Sequence, residues 1–298
     1  MDREELERVK RERDAIVLAH YYVDEQVQAM ADHVGDSYYL AKVASKAEQK
    51  RIVFCGVRFM GESAKILNPE REVVLPDAEA DCPMAHMASV EQILRMRREV
   101  EDLAVVCYIN SSAKLKSVCD VCVTSSNAVK IVSSLRNKNV LFIPDQNLGR
   151  YVQAQVPDKT FYYSGGYCPV HAQVLASDIT SELNAHPGAE VLVHPESSEQ
   201  VCALATFIGS TAEIISYAEK SKSRAFILGT EPGVMYALRQ RCPGKVFYPV
   251  TPMCSDMKRI TPEKVLDCLR GGGYAVKLCA EEMDAARKPL ERMLELGK

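Results

Sequence analysis

The chain has 298 residues, with 37 Lys and Arg against 40 Asp and Glu, a formal net charge of −3. That balance offers no basic field for nucleic acid and no polybasic patch for a membrane surface. No apolar run approaches the roughly 18 residues of a membrane-spanning helix, and an apolar content of 47% is that of an ordinary globular protein.

The opening segment, MDREELERVKRERD, is charged throughout, unlike a signal or transit peptide. The expectation is a cytoplasmic protein. Eleven cysteines are many for such a chain, and the number is odd. In a reducing compartment they point to metal ligation or buried thiols rather than disulfides.

In chain order, three segments align without gaps at their starts. They are VLAHYYVDEQVQAMADHVGDSYYLAKVA from Val17, VVCYINSSAKLKSVCDVCVTSSNAVKIV from Val105 and VLVHPESSEQVCALATFIGSTAEIISYA from Val191, offset by 88 and 86 residues. Each opens with a short apolar run that reads as a buried strand. The runs stop at His20, Tyr108 and His194. A helical stretch follows, then a second short motif (GDS, TSS, GST) and another helix. A third run (RIVFCGV, NVLFIPD, RAFILGT) and a fourth (EVVLPDAEADC, TFYYSGGYC, KVFYPVTPMC) complete each copy.

Strands alternating with helices imply parallel sheets covered on both faces. The expected fold is α/β: three pseudo-threefold-related three-layer αβα domains with short parallel sheets around one central site. The domains are expected at 1–100, 101–187 and 188–275, with 276–298, a strand and an amphipathic helix, packing back on the first beside the N-terminal helix.

The fourth run of each copy closes on Cys82, Cys168 and Cys254, spaced by 86 and 86 residues; no other cysteine recurs this way. Ligands of parallel sheets bind at the carboxyl ends of the strands. Three copies packed about one axis would therefore bring three thiolates together, a ligand set for a soft metal.

Structural zinc would take a fourth ligand. His171, three residues after Cys168, could supply it but has no counterpart in the other copies. A 4Fe–4S cube matches the threefold arrangement, and three ligands in place of the usual four leave one iron open as a Lewis acid for dehydration. The Cys119–Cys122 pair is a lone CxxC motif. Cys55, Cys107 and Cys202 read as core thiols, and Cys242, Cys268 and Cys279 as structural.

In this order, LAHYY, GDS, GVRFMGESAKILNP, CPMA, YIN, TSSNAV, PDQNLGRYV, CPVH, HPE, GST, GTEPGV and MCSDMK span almost the whole chain, and together they resemble the quinolinate synthase family of NAD biosynthesis. Two positions depart from the family pattern: Tyr21 follows the first His where Asn is common, and Ala212 follows GST where Gly is frequent.

The resemblance implies three pseudo-equivalent α/β domains around one 4Fe–4S cluster with three Cys ligands, here Cys82, Cys168 and Cys254. It implies a reaction joining iminoaspartate to dihydroxyacetone phosphate, giving quinolinate, phosphate and two waters. A further partner would be the aspartate-oxidising enzyme that supplies iminoaspartate.

Register and resemblance together nominate the other site residues. His20 and His194 would offer hydrogen bonds or positive charge to substrate oxygens, although a lone strand-end His is ordinarily structural. Glu196 of HPE shares the register of Tyr22 and Asn110, and by resemblance is the acid/base that moves protons. Tyr22 and Tyr108 could set phenol groups over the open iron, and Asn110 could bond substrate. By resemblance, His171 lies beside the cluster or in the substrate site.

Ser37, Ser125, Ser210 and Thr211 precede helices. They would cap them, hold an anion at the helix start, or divide these roles. His33, His86 and His186 lack the repeat and read as structural; Met257–Lys258 after Cys254 could bring a cation near the site, but Lys258 reads rather as a helix-start surface charge. Two other functions stay open on the residues alone. One is an iron–sulfur hydro-lyase acting on a hydroxy acid without phosphate. The other is an iron–sulfur sensor, which would want a fourth Cys ligand.

Overall fold

A computed structural model of the protein describes residues 3–298. Three sheets follow one another along the chain. The first holds β1 (Ala15–His20), β2 (His33–Gly35), β3 (Arg51–Cys55) and β4 (Glu72–Leu75). The second holds β5 (Leu103–Tyr108), β6 (Val121–Val123), β7 (Asn139–Ile143) and β8 (Thr160–Tyr163). The third holds β9 (Glu190–Val193), β10 (Phe207–Ile208), β11 (Ala225–Gly229) and β12 (Val246–Pro249). In each sheet the second strand of the unit lies outside the first, then come the third and the fourth, and these neighbours pair in parallel.

The chain therefore has the expected α/β class, as three small parallel sheets flanked by helices. The first strand of each unit is central and has helices on both faces. That is why β1 and β5 are buried along their whole length and read as unbroken apolar runs.

A hydrogen bond at the same place in each copy fixes the connection from first to second strand. Val17 N–H donates to Asp32 Oδ2 and Val105 N–H to Asp120 Oδ2, each at 2.7 Å, and Val191 N–H donates to Thr206 Oγ1 at 3.0 Å. In each unit the donor's carbonyl then accepts the N–H of that same Asp or Thr. The amide and carbonyl of this strand residue are thus satisfied by one residue, as buried backbone requires.

The chain re-enters the first sheet before residue 276. β13 (Tyr274–Ala275) pairs with β4, antiparallel to it, and helix Pro262–Arg270 packs on β3. The C-terminal helix Ala280–Leu296 lies between units. It packs on helix Arg58–Leu67 of the first, and on helix Ala113–Lys116 and β6 of the second. The N-terminal helix Arg3–Glu12 packs on β1 and on helix Pro262–Arg270. Accordingly the first and second units share one continuous apolar core, while the third unit carries a separate cluster on each face of its sheet. No described helix is long and apolar enough to cross a membrane.

Candidate active site

A cavity of about 200 Å³ opens where the carboxyl ends of the three sheets face one another, the place parallel sheets reserve for ligands. Each unit contributes a strand-end residue (His20, Tyr108, His194) and a cysteine (Cys82, Cys168, Cys254) to its wall. The cysteines do not end the fourth strands. They sit five to seven residues beyond Leu75, Tyr163 and Pro249, in loops that lead into short helical turns.

Burial raises all three thiols, Cys254 to about 11 and the other two well above the ordinary range. A soft metal would displace their protons on binding. Cys82 is close enough to Cys168 and Cys254 for each to raise its neighbour's proton affinity. Among the described residues, no lysine or arginine lines the cavity. Three thiols from three units around one space fit a soft metal cofactor, and Cys168 Sγ, a His171 nitrogen and a Glu196 oxygen also converge within 4.8 Å of one another.

Glu196 is the hub of the polar groups. Tyr108 Oη donates to its Oε1 at 2.6 Å, and His171 Nδ1 lies 2.8 Å from its Oε2. Burial alone would raise this carboxyl, but His194, His171 and the Tyr108 hydroxyl together hold it well below the usual carboxylate range. Tyr108, being buried beside that carboxylate, is pushed well up and stays a phenol. His171 Nδ1 also lies 3.3 Å from Cys168 Sγ, and its ring stacks on His194 at 4.9 Å.

Burial disfavours the charged form of His20 and His194, which weighs against one of the two roles expected of them. Burial pushes them down to about 3 and about 4 respectively, against the pull of Glu196. The repeat explains their tautomer. In both, the backbone N–H two residues on donates to Nδ1, from Tyr22 at 3.2 Å and from Glu196 at 3.3 Å. The ring proton is then on Nε2, and His194 Nε2 reaches Ser125 Oγ at 3.2 Å.

Tyr22 Oη bonds Thr211 Oγ1 at 2.8 Å and Thr230 Oγ1 at 3.0 Å, and its ring meets His20 edge-on. Asn110 Oδ1 is buried without a partner at the cavity wall, free to accept from a bound molecule. Ser37, Ser125 and Thr211 line the cavity too. Ser210 does not: it is buried, and its Oγ accepts the N–H of Glu213 as the helix cap. Ser37 is the first helical residue, and the cap there is Asp36.

His33 and His186 lie away from the cavity on Tyr39 and Glu182, and His86, not itself in the cavity wall, bonds Asp81, which is. Lys258 is no surface charge. Its Nζ donates to Tyr22 O at 2.8 Å and pairs with Asp24 and with Glu231, which is fully buried, tying the first unit to the third.

Thr230, Glu231 and Asp145 are fully buried at or beside the site. They fall within GTEPGV and PDQNLGRYV, where the only signal for the two carboxylates is that Asp145 and Glu231 stand 86 residues apart.

Three like α/β units that close their thiols, imidazoles and a carboxylate around one cavity form a site that fits an enzyme with a metal-binding centre. Comparison with known proteins narrows that class. Residues 4–295 match the NadA family, quinolinate synthetase A protein. The quinolinate synthase of Fusobacterium nucleatum is 47% identical over 99% of both chains. Those of Caldicellulosiruptor bescii and Clostridioides difficile are 45% and 43% identical, over 98% and 99% of this chain and 97% of each relative. The chain belongs to the quinolinate synthetase A protein family.

Proposed function

We propose that this protein is a quinolinate synthase, a transferase that joins iminoaspartate to dihydroxyacetone phosphate and releases quinolinate, inorganic phosphate and two waters. The observation that carries the reading is the single cavity at which all three units deliver a cysteine beside the Tyr108–Glu196–His171 network. A 4Fe–4S cluster held by Cys82, Cys168 and Cys254 would supply a Lewis acid for removal of hydroxyl groups.

The chain's own residues do the remaining work. Glu196, held as a carboxylate, takes protons from the condensing carbon and nitrogen centres, and Tyr108, already hydrogen-bonded to it, returns them. Substrate carboxylates and phosphate meet neutral donors: the Nε2–H groups of His20 and His194 and the hydroxyls of Ser37, Ser125 and Thr211, at the positive ends of the helices that begin at Ser37 and Thr211. Asn110 and Tyr22 orient the bound substrate. Iminoaspartate would come from an aspartate-oxidising enzyme in the same cytoplasm.

The test is anaerobic incubation of the loaded protein with both substrates. Quinolinate and phosphate formed in equal amounts support the reading. Dehydration of a hydroxy acid without phosphate release would favour a hydro-lyase instead.

A further inference from the structure

The three cysteines share a feature beyond their spacing: a carboxylate accepts the backbone N–H of Cys82 and of Cys254, and another lies beside that of Cys168. In the third unit, Cys254 N–H donates to Glu231 Oε1 at 3.1 Å. Glu231 lies just past the end of β11, is completely buried, and takes the N–H of Gly233 on its other oxygen. In the second unit, Asp145 holds the same place past β7 and is also completely buried. Its Oδ1 takes the N–H groups of Asn147 and Leu148. Its Oδ2 has no partner of full hydrogen-bond geometry, and the backbone N–H of Cys168 is among the groups that act on this carboxylate.

Asp145 precedes Cys168, and Glu231 precedes Cys254, by the same 23 residues. The first unit breaks the pattern: Val57 stands two residues past β3, as Asp145 and Glu231 stand past β7 and β11, and Phe59 lies 23 residues before Cys82, so neither position offers a carboxylate. There the job passes to the neighbouring side chain, and Cys82 N–H donates to Asp81 Oδ1 at 2.8 Å.

We infer that Asp81, Asp145 and Glu231 are positioning residues for the three cysteine loops, each fixing its cysteine by the backbone amide so that the thiols face the cavity before a cluster arrives. The inference rests on the proposed role of Cys82, Cys168 and Cys254. Its physical basis is that none of these cysteines lies in regular sheet, so neither strand nor helix hydrogen bonds fix the amide. A carboxylate forms a stronger bond to N–H than a neutral acceptor does. That the first unit reaches the same bond from a different residue argues that the contact itself is what the site needs. Asp81 is further held by His86 Nε2 at 2.9 Å, which gives that surface histidine a function.

The test compares wild type with Asp81→Ala, Asp145→Ala and Glu231→Ala, and with Asp145→Asn and Glu231→Gln, which keep an acceptor oxygen. Each full-length protein is loaded anaerobically with iron and sulfide. Iron and sulfide are counted, and iron release to a chelator is timed at fixed temperature. Groups that orient metal ligands are worth roughly 10–100-fold in metal retention. The alanine variants should release iron faster by that factor, and the Asn and Gln variants should stay within a few-fold of wild type.

Asp81→Ala decides the matter if the buried alanine variants do not fold. Asp81 is partly exposed, so the melting temperature of its cluster-free chain should not move while iron release quickens. Wild-type release rates in Asp81→Ala and in the folded variants overturn the inference while leaving the cysteine assignment intact. A wild-type chain that takes up no iron and sulfide overturns the assignment and the inference together.

Discussion

Tyr108, the last residue of β5, donates its hydroxyl to Glu196 beyond β9 at 2.6 Å, so the strand end of one unit holds the carboxylate of another. The pair, proposed above as acid and base, exists only because the second and third units meet at the cavity. Glu196→Gln keeps the shape and removes the base. The loaded variant should retain its iron and bind substrate, with turnover lower by roughly 10²–10⁴, the range for general acid–base groups. Steady-state turnover under anaerobic conditions checks it, and near-normal turnover would reduce Glu196 to an anchor for Tyr108 and His171.

The phosphate is expected at Ser125 and Thr211, with Ser37 toward a carboxylate of the aspartate-derived half. Thr211→Val removes a hydroxyl that now bonds Tyr22, which keeps Thr230 as its second partner. Affinity for dihydroxyacetone phosphate should fall by about 1–2 kcal/mol, a hydrogen bond to a charged group. Competition by inorganic phosphate should weaken in parallel. Titration of Thr211→Val and Ser125→Ala decides it, since unchanged affinity in both places the phosphate elsewhere.

Stability should depend on pH through the two buried histidines. In the folded chain His20 and His194 are lowered to about 3 and about 4, while the unfolded chain has them near 6.5. Their depressed values favour the unfolded state only when it can take up protons the folded state refuses. Stability is therefore undiminished above about pH 6.5 and falls as the pH drops from there toward 4. Each histidine contributes a slope of about 1.4 kcal/mol per pH unit. Denaturant melts of the cluster-free chain between pH 7.5 and 4.5 should show that loss, and His20→Gln should remove about half of the slope. An unchanged slope in His20→Gln would mean that the imidazole is solvated and titrates normally.

The second unit has a cysteine group of its own. Cys107 and Cys122 are paired in register on β5 and β6, and Cys119, whose thiol donates to Leu115 O at 3.0 Å, lies near enough to act on Cys107. None of the three lines the cavity. Cys119→Ser and Cys122→Ser should each keep the full iron and sulfide content and most of the turnover.

The triple repeat was legible in the sequence because central strands buried on both faces leave unbroken apolar runs, and because the cysteines at 82, 168 and 254 recur with the same interval. The strand-end residues His20, Tyr108 and His194 were legible for the same reason, and the cavity brings them together. What stayed hidden depends on distant packing. The charge of His20 and His194 follows from burial by other units, which no local pattern reports. Lys258 looked like a helix-start charge because its partners Tyr22, Asp24 and Glu231 are far away in sequence. Asp145 and Glu231 recur at the cysteine interval, but the first unit has Phe59 at that interval and Val57 at the matching place past its strand, so two copies out of three do not stand out. Ser210 was grouped with Thr211, although the turn of the helix sends one residue to the cap and the next to the cavity.

The central claim is that three units each give one thiolate to a single iron–sulfur centre. It is tested most directly by counting iron and sulfide in anaerobically loaded wild type and Cys168→Ser. A hydroxyl is a poor ligand for so soft a centre, so wild type should hold about four irons and four sulfides per chain with a brown chromophore, and Cys168→Ser should lose both. A stable, full cluster in Cys168→Ser would contradict the account.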